Sequence, residues 1–144
     1  MKKQPGINKR VRLSFSKQKF MKHIGARLKK AEGGFCEIHV SYNTMLTQQN
    51  EFFHAGVIGT LADTAAGYAA YTLMEENAAV LTVEFKLNLL APAKGQTLIA
   101  RSAVIKAGKT LTVCNSEVFI KTGRKENLCS TATVTLIALY NYKK

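Results

Sequence analysis

The second half of the chain is patterned as β-strands. Four stretches rich in Val, Ile, Thr and Leu predict strands, at about residues 80–90, 97–106, 110–121 and 128–139. The pairs Ala107-Gly108 and Thr122-Gly123 separate the last three. Connections this short are typical of antiparallel neighbours. We therefore expect these strands to form an antiparallel meander.

The first half combines helical and strand patterns. Residues 17–30 place Phe20, Ile24 and Leu28 on one stripe, which predicts a helix that Ser16 caps and Gly33-Gly34 ends. Over residues 35–42, every second residue from position 36 to 40 is apolar, which predicts a strand.

Residues 55–74 form the most unusual stretch of the sequence. In these twenty residues Asp63 is the single charged side chain, and it is the only aspartate of the chain. The stretch is built from Ala, Gly and Thr, and a carboxylate near its middle makes membrane insertion costly. We expect a buried central helix that covers one face of a sheet of about five strands, which is an α+β architecture.

Composition favours one globular domain outside the membrane. The chain has 144 residues, of which 47% are hydrophobic and 21% charged. Its three cysteines form no CxxC pair, so neither a disulfide framework nor a zinc site is indicated. The basic start is not followed by the apolar run of a secretory signal. The expected location is the cytoplasm, with no metal.

The positive charge is concentrated at the start of the chain. Of 21 Lys and Arg residues, eleven fall within residues 1–30, which contain no acidic residue. Residues 1–15 are therefore predicted to be a basic arm, and residues 16–144 a single domain. The arm could serve solubility alone, or attract an anionic small molecule or an acidic carrier protein. The absence of a recognised binding motif argues against nucleic acid.

Asp63 is a candidate functional group because burying an ionised carboxylate is costly unless it is paired. No cation lies within one helical turn of it in the sequence. One interpretation is structural, with Asp63 bonded to backbone amides in a tight helix–sheet contact. The other is a functional site that uses the carboxylate.

The start of the central helix offers a second candidate. His54-Ala55-Gly56 precedes the apolar run, and unsatisfied amides of a first helical turn can hold a developing oxyanion. Asp63 follows these amides by seven or eight residues, or roughly 11–12 Å along a helix. One reacting carbonyl cannot easily contact both these amides and a water held by Asp63 on the same helix. If both serve one site, the two helices belong to different chains, which predicts a dimer with shared sites.

Three segments together resemble the hot-dog-fold acyl-CoA thioesterases of the phenylacetyl-CoA (PaaI-like) type. They are QQNEFFHAGVIGTLADTAAGYAA at 48–70, LTVEFKLNLLAPA at 81–93 and KAGKTL at 106–111. The resemblance covers about residues 35–139. It implies a hot-dog fold, in which the sheet wraps the central helix, assembled as dimers and often as tetramers.

The resemblance also implies roles for individual residues. Asp63 becomes a general base or nucleophile toward the thioester, and the N–H of Ala55 or Gly56 polarises its carbonyl. His54 shapes the turn. Two further residues are then expected near the water or the substrate, namely Gln48 and Thr82. Where the family usually has glycine, this chain has Ala55, which keeps the N–H but narrows the approach.

The expected reaction is hydrolysis of an acyl-CoA thioester, with coenzyme A as part of the substrate and no separate cofactor. Arg101, Lys106 and Lys109 are candidate contacts of the coenzyme A phosphates. A rival hypothesis is a non-catalytic acyl-CoA-binding or sensing module on the same fold, which would bind such esters without hydrolysing them.

Overall fold

The computed structural model describes residues 6–142, which form three α-helices, a short 3-10 helix and six strands. In chain order these are α1 (Lys9–Ser16), α2 (Lys19–His23), β1 (Arg27–Glu32), β2 (Phe35–Ser41), the 3-10 helix (Thr44–Leu46), α3 (Ala55–Tyr71), β3 (Ala78–Leu89), β4 (Thr97–Ala107), β5 (Leu111–Thr122) and β6 (Lys125–Tyr140). Within this range, no helix is both long and apolar enough to cross a bilayer.

The strands form one antiparallel sheet in the order β1-β2-β4-β5-β6-β3. The meander β4-β5-β6 is as predicted, and α3 packs across its inner face. The predicted α+β class and the hot-dog arrangement of a sheet around a central helix are therefore confirmed. The sheet has six strands, however, where the sequence indicated about five.

The additional strand lies where the sequence predicted a helix. The helix over residues 17–30 is wrong, because α2 ends at His23 and Gly25 takes a positive φ of 72°. Gly33 and Gly34 also have positive φ, of 57° and 81°. They form the tight turn of a hairpin between β1 and β2, since glycine adopts this conformation without steric cost.

Residues 9–16 are helical and packed onto the domain, whereas the sequence placed residues 1–15 in a basic arm outside it. They form α1, in which Val11 is fully buried and Phe15 packs edge-on against Tyr68 at 5.7 Å between ring centroids. Helix α1 thus crosses the predicted boundary between arm and domain at residue 15. The first five residues of the predicted arm lie outside the described range.

The side chain of Arg10 connects α1 to the end of α3 by hydrogen bonds. Its guanidinium donates to the carbonyl oxygens of Tyr71 at 2.5 Å, Met74 at 2.8 Å and Glu75 at 2.5 Å. It also lies 4.0 Å from the centroid of the Tyr71 ring. These carbonyls belong to the last turn of α3 and the loop after it, where a positive charge is favourable.

Small side chains let α3 lie close to the sheet. Ala62 and Ala66 are fully buried, and their carbonyl oxygens face strand β5. Ser116 Oγ donates to Ala62 O at 2.7 Å, and the thiol of Cys114 lies 3.5 Å from Ala66 O. The helix is therefore held both by apolar contacts and by sheet side chains that bond to its backbone.

The three cysteines are core residues of strands. Cys36, Cys114 and Cys129 are free and fully buried. Burial raises the pKa of Cys36, and raises those of Cys114 and Cys129 to about 11.

Strand β3 forms one edge of the sheet and leaves apolar side chains in solvent. Its sole strand partner in the described chain is β6. Leu81, Val83 and Phe85 are 53%, 56% and 45% exposed. An apolar, unpaired strand edge is a template for pairing with another chain.

Candidate active site

Asp63 lies midway along α3 on the side that faces the edge strand. Thr82 Oγ1, on β3, donates a 2.6 Å hydrogen bond to Asp63 Oδ1. No Lys, Arg or His of residues 6–142 lies within 4.0 Å of this carboxylate. Burial raises the pKa of Asp63 above its ordinary value, and the bond from Thr82 opposes that rise. The structure thus shows a half-buried carboxylate that is held by a hydroxyl and has no cationic partner among residues 6–142.

The first turn of α3 contains the second candidate, the backbone amides of Ala55 and Gly56. His54 caps the helix: its Nδ1 accepts the N–H of Gly56 at 2.8 Å, and its carbonyl oxygen accepts the N–H of Val57 at 2.9 Å. The N–H of Ala55 has no acceptor within the described residues. Of the two amides expected to bind a carbonyl oxygen, the one of Ala55 is therefore available and that of Gly56 is already engaged.

Gln48 lies beside this helix tip. The turn that holds it is closed by the bond from Gln48 N–H to Phe52 O, 2.9 Å long, and its side-chain oxygen accepts the N–H of Asn50. Gln48 and Ala55 line the same surface depression, with Phe52 and Ile58 among its walls. The structure therefore brings Gln48, His54 and Ala55 together at one end of α3.

Two concave regions meet at Asp63. A cavity of about 350 Å³ extends from Asp63 along α3 to Tyr68 and Tyr71, with Thr82 in its wall. A groove runs the other way, past Gly59 to Ala55 and Gly56 at the helix tip. The two regions therefore extend from Asp63 in opposite directions.

Residues from the N-terminal helices line both regions and were missed by the sequence analysis. Gln18 borders the cavity and the groove, and its Nε2 donates to Tyr68 Oη at 2.8 Å. Ser14 Oγ lies 3.2 Å from the same oxygen. The pair Gly33-Gly34 is a hairpin signal that could have indicated a strand before it. With that strand beginning near residue 27, residues 9–23 form separate helices that can pack beside α3.

The three cations expected to contact coenzyme A lie outside these concave regions. Arg101 is engaged on the outer face of the sheet, donating to Glu37 at 2.9 Å and Glu126 at 2.7 Å. Lys106 and Lys109 are exposed at the β4–β5 turn and form no ion pair within the described residues. Residues 6–142 contain no cluster of His, Cys, Asp or Glu suited to a metal ion.

Comparisons with known proteins identify a family of similar sequences. The family model of the thioesterase superfamily matches residues 50–127, more than half of the chain. A protein of Saccharolobus solfataricus named as an esterase is 32% identical over 114 residues, which are 79% of this chain and 73% of that protein.

Solved structures give the same picture. A thioesterase family protein from Silicibacter pomeroyi superposes with a TM-score of 0.90 at 45% identity, covering 92% of this chain and 97% of the other. The PaaI protein from the phenylacetic acid degradation operon of Escherichia coli superposes with a TM-score of 0.81. It is 18% identical, with 90% of this chain and 91% of that chain covered, so it shows the shared fold alone.

Proposed function

Because this chain belongs to the thioesterase superfamily, we propose that it hydrolyses acyl-CoA thioesters to a free carboxylic acid and coenzyme A. The observation that carries the proposal is Asp63, a half-buried carboxylate at the junction of two concave regions, which has no cationic partner in the described part of the chain. No separate cofactor is needed, since water is the second reactant.

Asp63 acts as the general base in this proposal. Its carboxylate takes a proton from water while the water oxygen attacks the thioester carbonyl carbon. Collapse of the resulting oxyanion breaks the carbon–sulfur bond, and the proton passes to the departing thiolate. Thr82 fixes one oxygen of the carboxylate, which leaves the other for the water. Direct attack by Asp63 on the carbonyl is the covalent alternative.

The N–H of Ala55 stabilises the oxyanion. This amide has no acceptor among the residues that the structure describes, and it stands at the positive end of a helix of 17 residues, which favours a developing negative charge. His54 keeps the adjacent amide of Gly56 occupied and so sets the conformation of the turn. Gln48, which shares a depression with Ala55, orients the substrate or water.

A complete site requires two copies of the chain. Ala55 and Asp63 are eight residues apart on one helix, about 12 Å along its axis. The exposed apolar edge β3 is suited to pairing with a second copy, which would bring the partner's helix tip toward Asp63. We therefore propose a homodimer with shared sites, which can pair further into a tetramer.

Heterodimers of two inactive variants test this arrangement. One subunit carries Asp63→Asn and the other Ala55→Pro, and differently tagged subunits allow the heterodimer to be purified. If each site combines Asp63 of one subunit with Ala55 of the other, one of the two sites is intact and about half of the wild-type activity returns. If each site lies within one subunit, the heterodimer is as inactive as either parent.

The reaction itself is tested by hydrolysis of a panel of aryl-acetyl, short, medium and long acyl-CoA esters. Release of free thiol above the uncatalysed rate supports the proposal. Saturable binding of these esters without turnover would instead identify a non-catalytic acyl-CoA-binding module.

A further inference from the structure

The segment that contains α1, α2 and β1 carries an uncompensated positive charge. Between residues 9 and 30 there are nine Lys and Arg residues and no acidic residue. Arg10 is used structurally at the end of α3, and Lys30 lies 3.9 Å from Glu32. The lysines around α2 have no carboxylate within 4.0 Å in the described chain: Lys17, Lys19 and Lys22.

These three lysines, here called the α2 cluster, lie next in sequence to residues of the groove that leads to Asp63. Gln18, Phe20 and Met21 line that groove together with Gly56 and Asp63. Each lysine of the cluster is the sequence neighbour of one of these lining residues, with Cα atoms about 3.8 Å apart. All three side chains are exposed, as is the Phe20 ring at 57%. The residues that line the groove at α2 are therefore flanked in sequence by three exposed lysines, which form no ion pair within residues 6–142.

A coenzyme A thioester has matching chemistry. Its reacting sulfur stands at one end of the apolar pantetheine arm, and its diphosphate and 3′-phosphate stand at the other. Cations that bind the phosphates must therefore lie beyond the reacting groups, at the open end of a groove. Ammonium groups attract phosphates as point charges, and a concentrated positive field also speeds the encounter.

We propose that the α2 cluster binds the phosphates of the coenzyme A portion of the substrate, an inference that rests on the proposed function. The pantetheine arm then passes over Phe20 in the groove, and the thioester reaches Asp63. This assignment gives the basic N-terminal segment a specific role, and it places the phosphates at α2 and not at the β4–β5 turn with Lys106 and Lys109.

Three variants separate the possibilities. The first is Lys17→Gln/Lys19→Gln/Lys22→Gln, and glutamine keeps a similar helix propensity. The second, Lys106→Gln/Lys109→Gln, removes the rival cations. The third is a charge-matched control at the β5–β6 turn, Lys121→Gln/Arg124→Gln/Lys125→Gln, whose residues line neither the groove nor the cavity.

Two readouts are applied to each variant. The first is the Kd of free coenzyme A by calorimetry, at two salt concentrations. The second is the KM of two thioesters of the same acyl group, one of coenzyme A and one of N-acetylcysteamine, which has no phosphate. The acyl group is the one with the highest kcat/KM in the acyl-CoA panel.

Loss of the α2 cluster is expected to raise the Kd of coenzyme A and the KM of its thioester about tenfold, as for several exposed ion pairs lost together. The KM of the N-acetylcysteamine thioester should change much less, and the salt dependence of coenzyme A binding should weaken. The control at the β5–β6 turn should retain the wild-type Kd.

Other outcomes overturn the proposal. One is an effect of the Lys106/Lys109 variant alone, and another is an equal rise in KM for both thioesters, which would mean a structural defect. Weakened binding of a random DNA duplex with unchanged coenzyme A affinity would assign the surface to nucleic acid. One further outcome separates the two proposals. If the wild type hydrolyses neither thioester but the α2 variant binds coenzyme A more weakly than the wild type, the proposed hydrolysis is wrong and the proposed phosphate site is supported.

Discussion

Thr82 Oγ1 donates to Asp63 Oδ1 across 2.6 Å, and this bond links the edge strand β3 to the middle of α3. A hydroxyl donor stabilises the ionised carboxylate, whereas burial destabilises it. Burial therefore raises the pKa of Asp63, and a hydroxyl on the strand at the exposed edge of the sheet partly offsets that rise.

Replacing Asp63 by Asn is expected to abolish hydrolysis with the fold retained. Loss of a positioned general base typically costs 10²- to 10⁴-fold in rate. The measurement is kcat for the best acyl-CoA ester, with circular dichroism and the oligomeric state as controls. Activity within threefold of the wild type would contradict the role of Asp63.

The same substitution should stabilise the protein in a pH-dependent way. Because the pKa of Asp63 is raised on folding, the ionised carboxylate costs stability above its folded pKa, and this cost vanishes below the ordinary value of 3.8. Asp63→Asn is therefore expected to raise Tm at neutral pH and to lose that advantage in acid. Thermal unfolding from pH 3 to 8 measures the difference, and an advantage that grows as the pH falls would reverse the predicted sign.

Replacing Thr82 by Val removes the one hydroxyl that holds Asp63. Since that bond lowers the pKa of Asp63, its loss should raise the pKa further. The acidic limb of the profile of kcat/KM against pH is then expected to move to higher pH. Thr82→Ser keeps the hydroxyl and should keep the wild-type profile. An unchanged profile in the valine variant would show that this bond does not tune the base.

Replacing Ala55 by Pro deletes the proposed oxyanion donor at little structural cost. Ala55 is the first residue of α3, a position at which proline is well accepted, and the φ of −62° and ψ of 139° of His54 suit a residue before proline. We expect kcat to fall about 10²- to 10³-fold, as on removal of an oxyanion donor. Ala55→Gly retains the N–H and should retain activity. A proline variant with normal kcat would exclude this amide.

Replacing Arg10 by Ala should loosen the N-terminal helices. The side chain bonds to three carbonyl oxygens, and bonds to charged groups contribute about 1.5–3 kcal/mol each when well shielded. Because the site is partly exposed, we expect a total loss of about 2 kcal/mol in the free energy of unfolding. Urea denaturation measures this loss. The variant Arg12→Ala, on the same helix, is the matched control and should lie near the wild type.

The predictable parts of the fold are those encoded by local patterns. The long helix follows from an apolar run with one charge, and β4, β5 and β6 follow from alternation and tight turns. The position of β3 beside β6 depends on pairing between strands that are distant in sequence, which no local pattern specifies. The stripe of Phe20, Ile24 and Leu28 was misleading because a spacing of four residues also fits a short helix followed by a strand.

The candidate site was predictable to a similar degree. Asp63 and the helix tip stand out in the sequence because of charge and position. The side chain of His54 accepts the N–H of Gly56, so that only the N–H of Ala55 is available to a substrate oxygen. This difference depends on the rotamer of His54 and is visible only in the structure. Gln18 and Ser14 reach the cavity through the packing of α1 and α2, which was assigned wrongly from sequence.

The burial of all three native thiols has a practical consequence for following this protein in solution. Thiol-directed dyes need an accessible thiolate, and Cys36, Cys114 and Cys129 are both enclosed and held in the neutral form. A cysteine introduced at exposed His23, which ends α2 and is not part of the α2 cluster, should therefore be labelled selectively without removing the natural ones. A fluorophore there would report directly on what enters the groove beside α2.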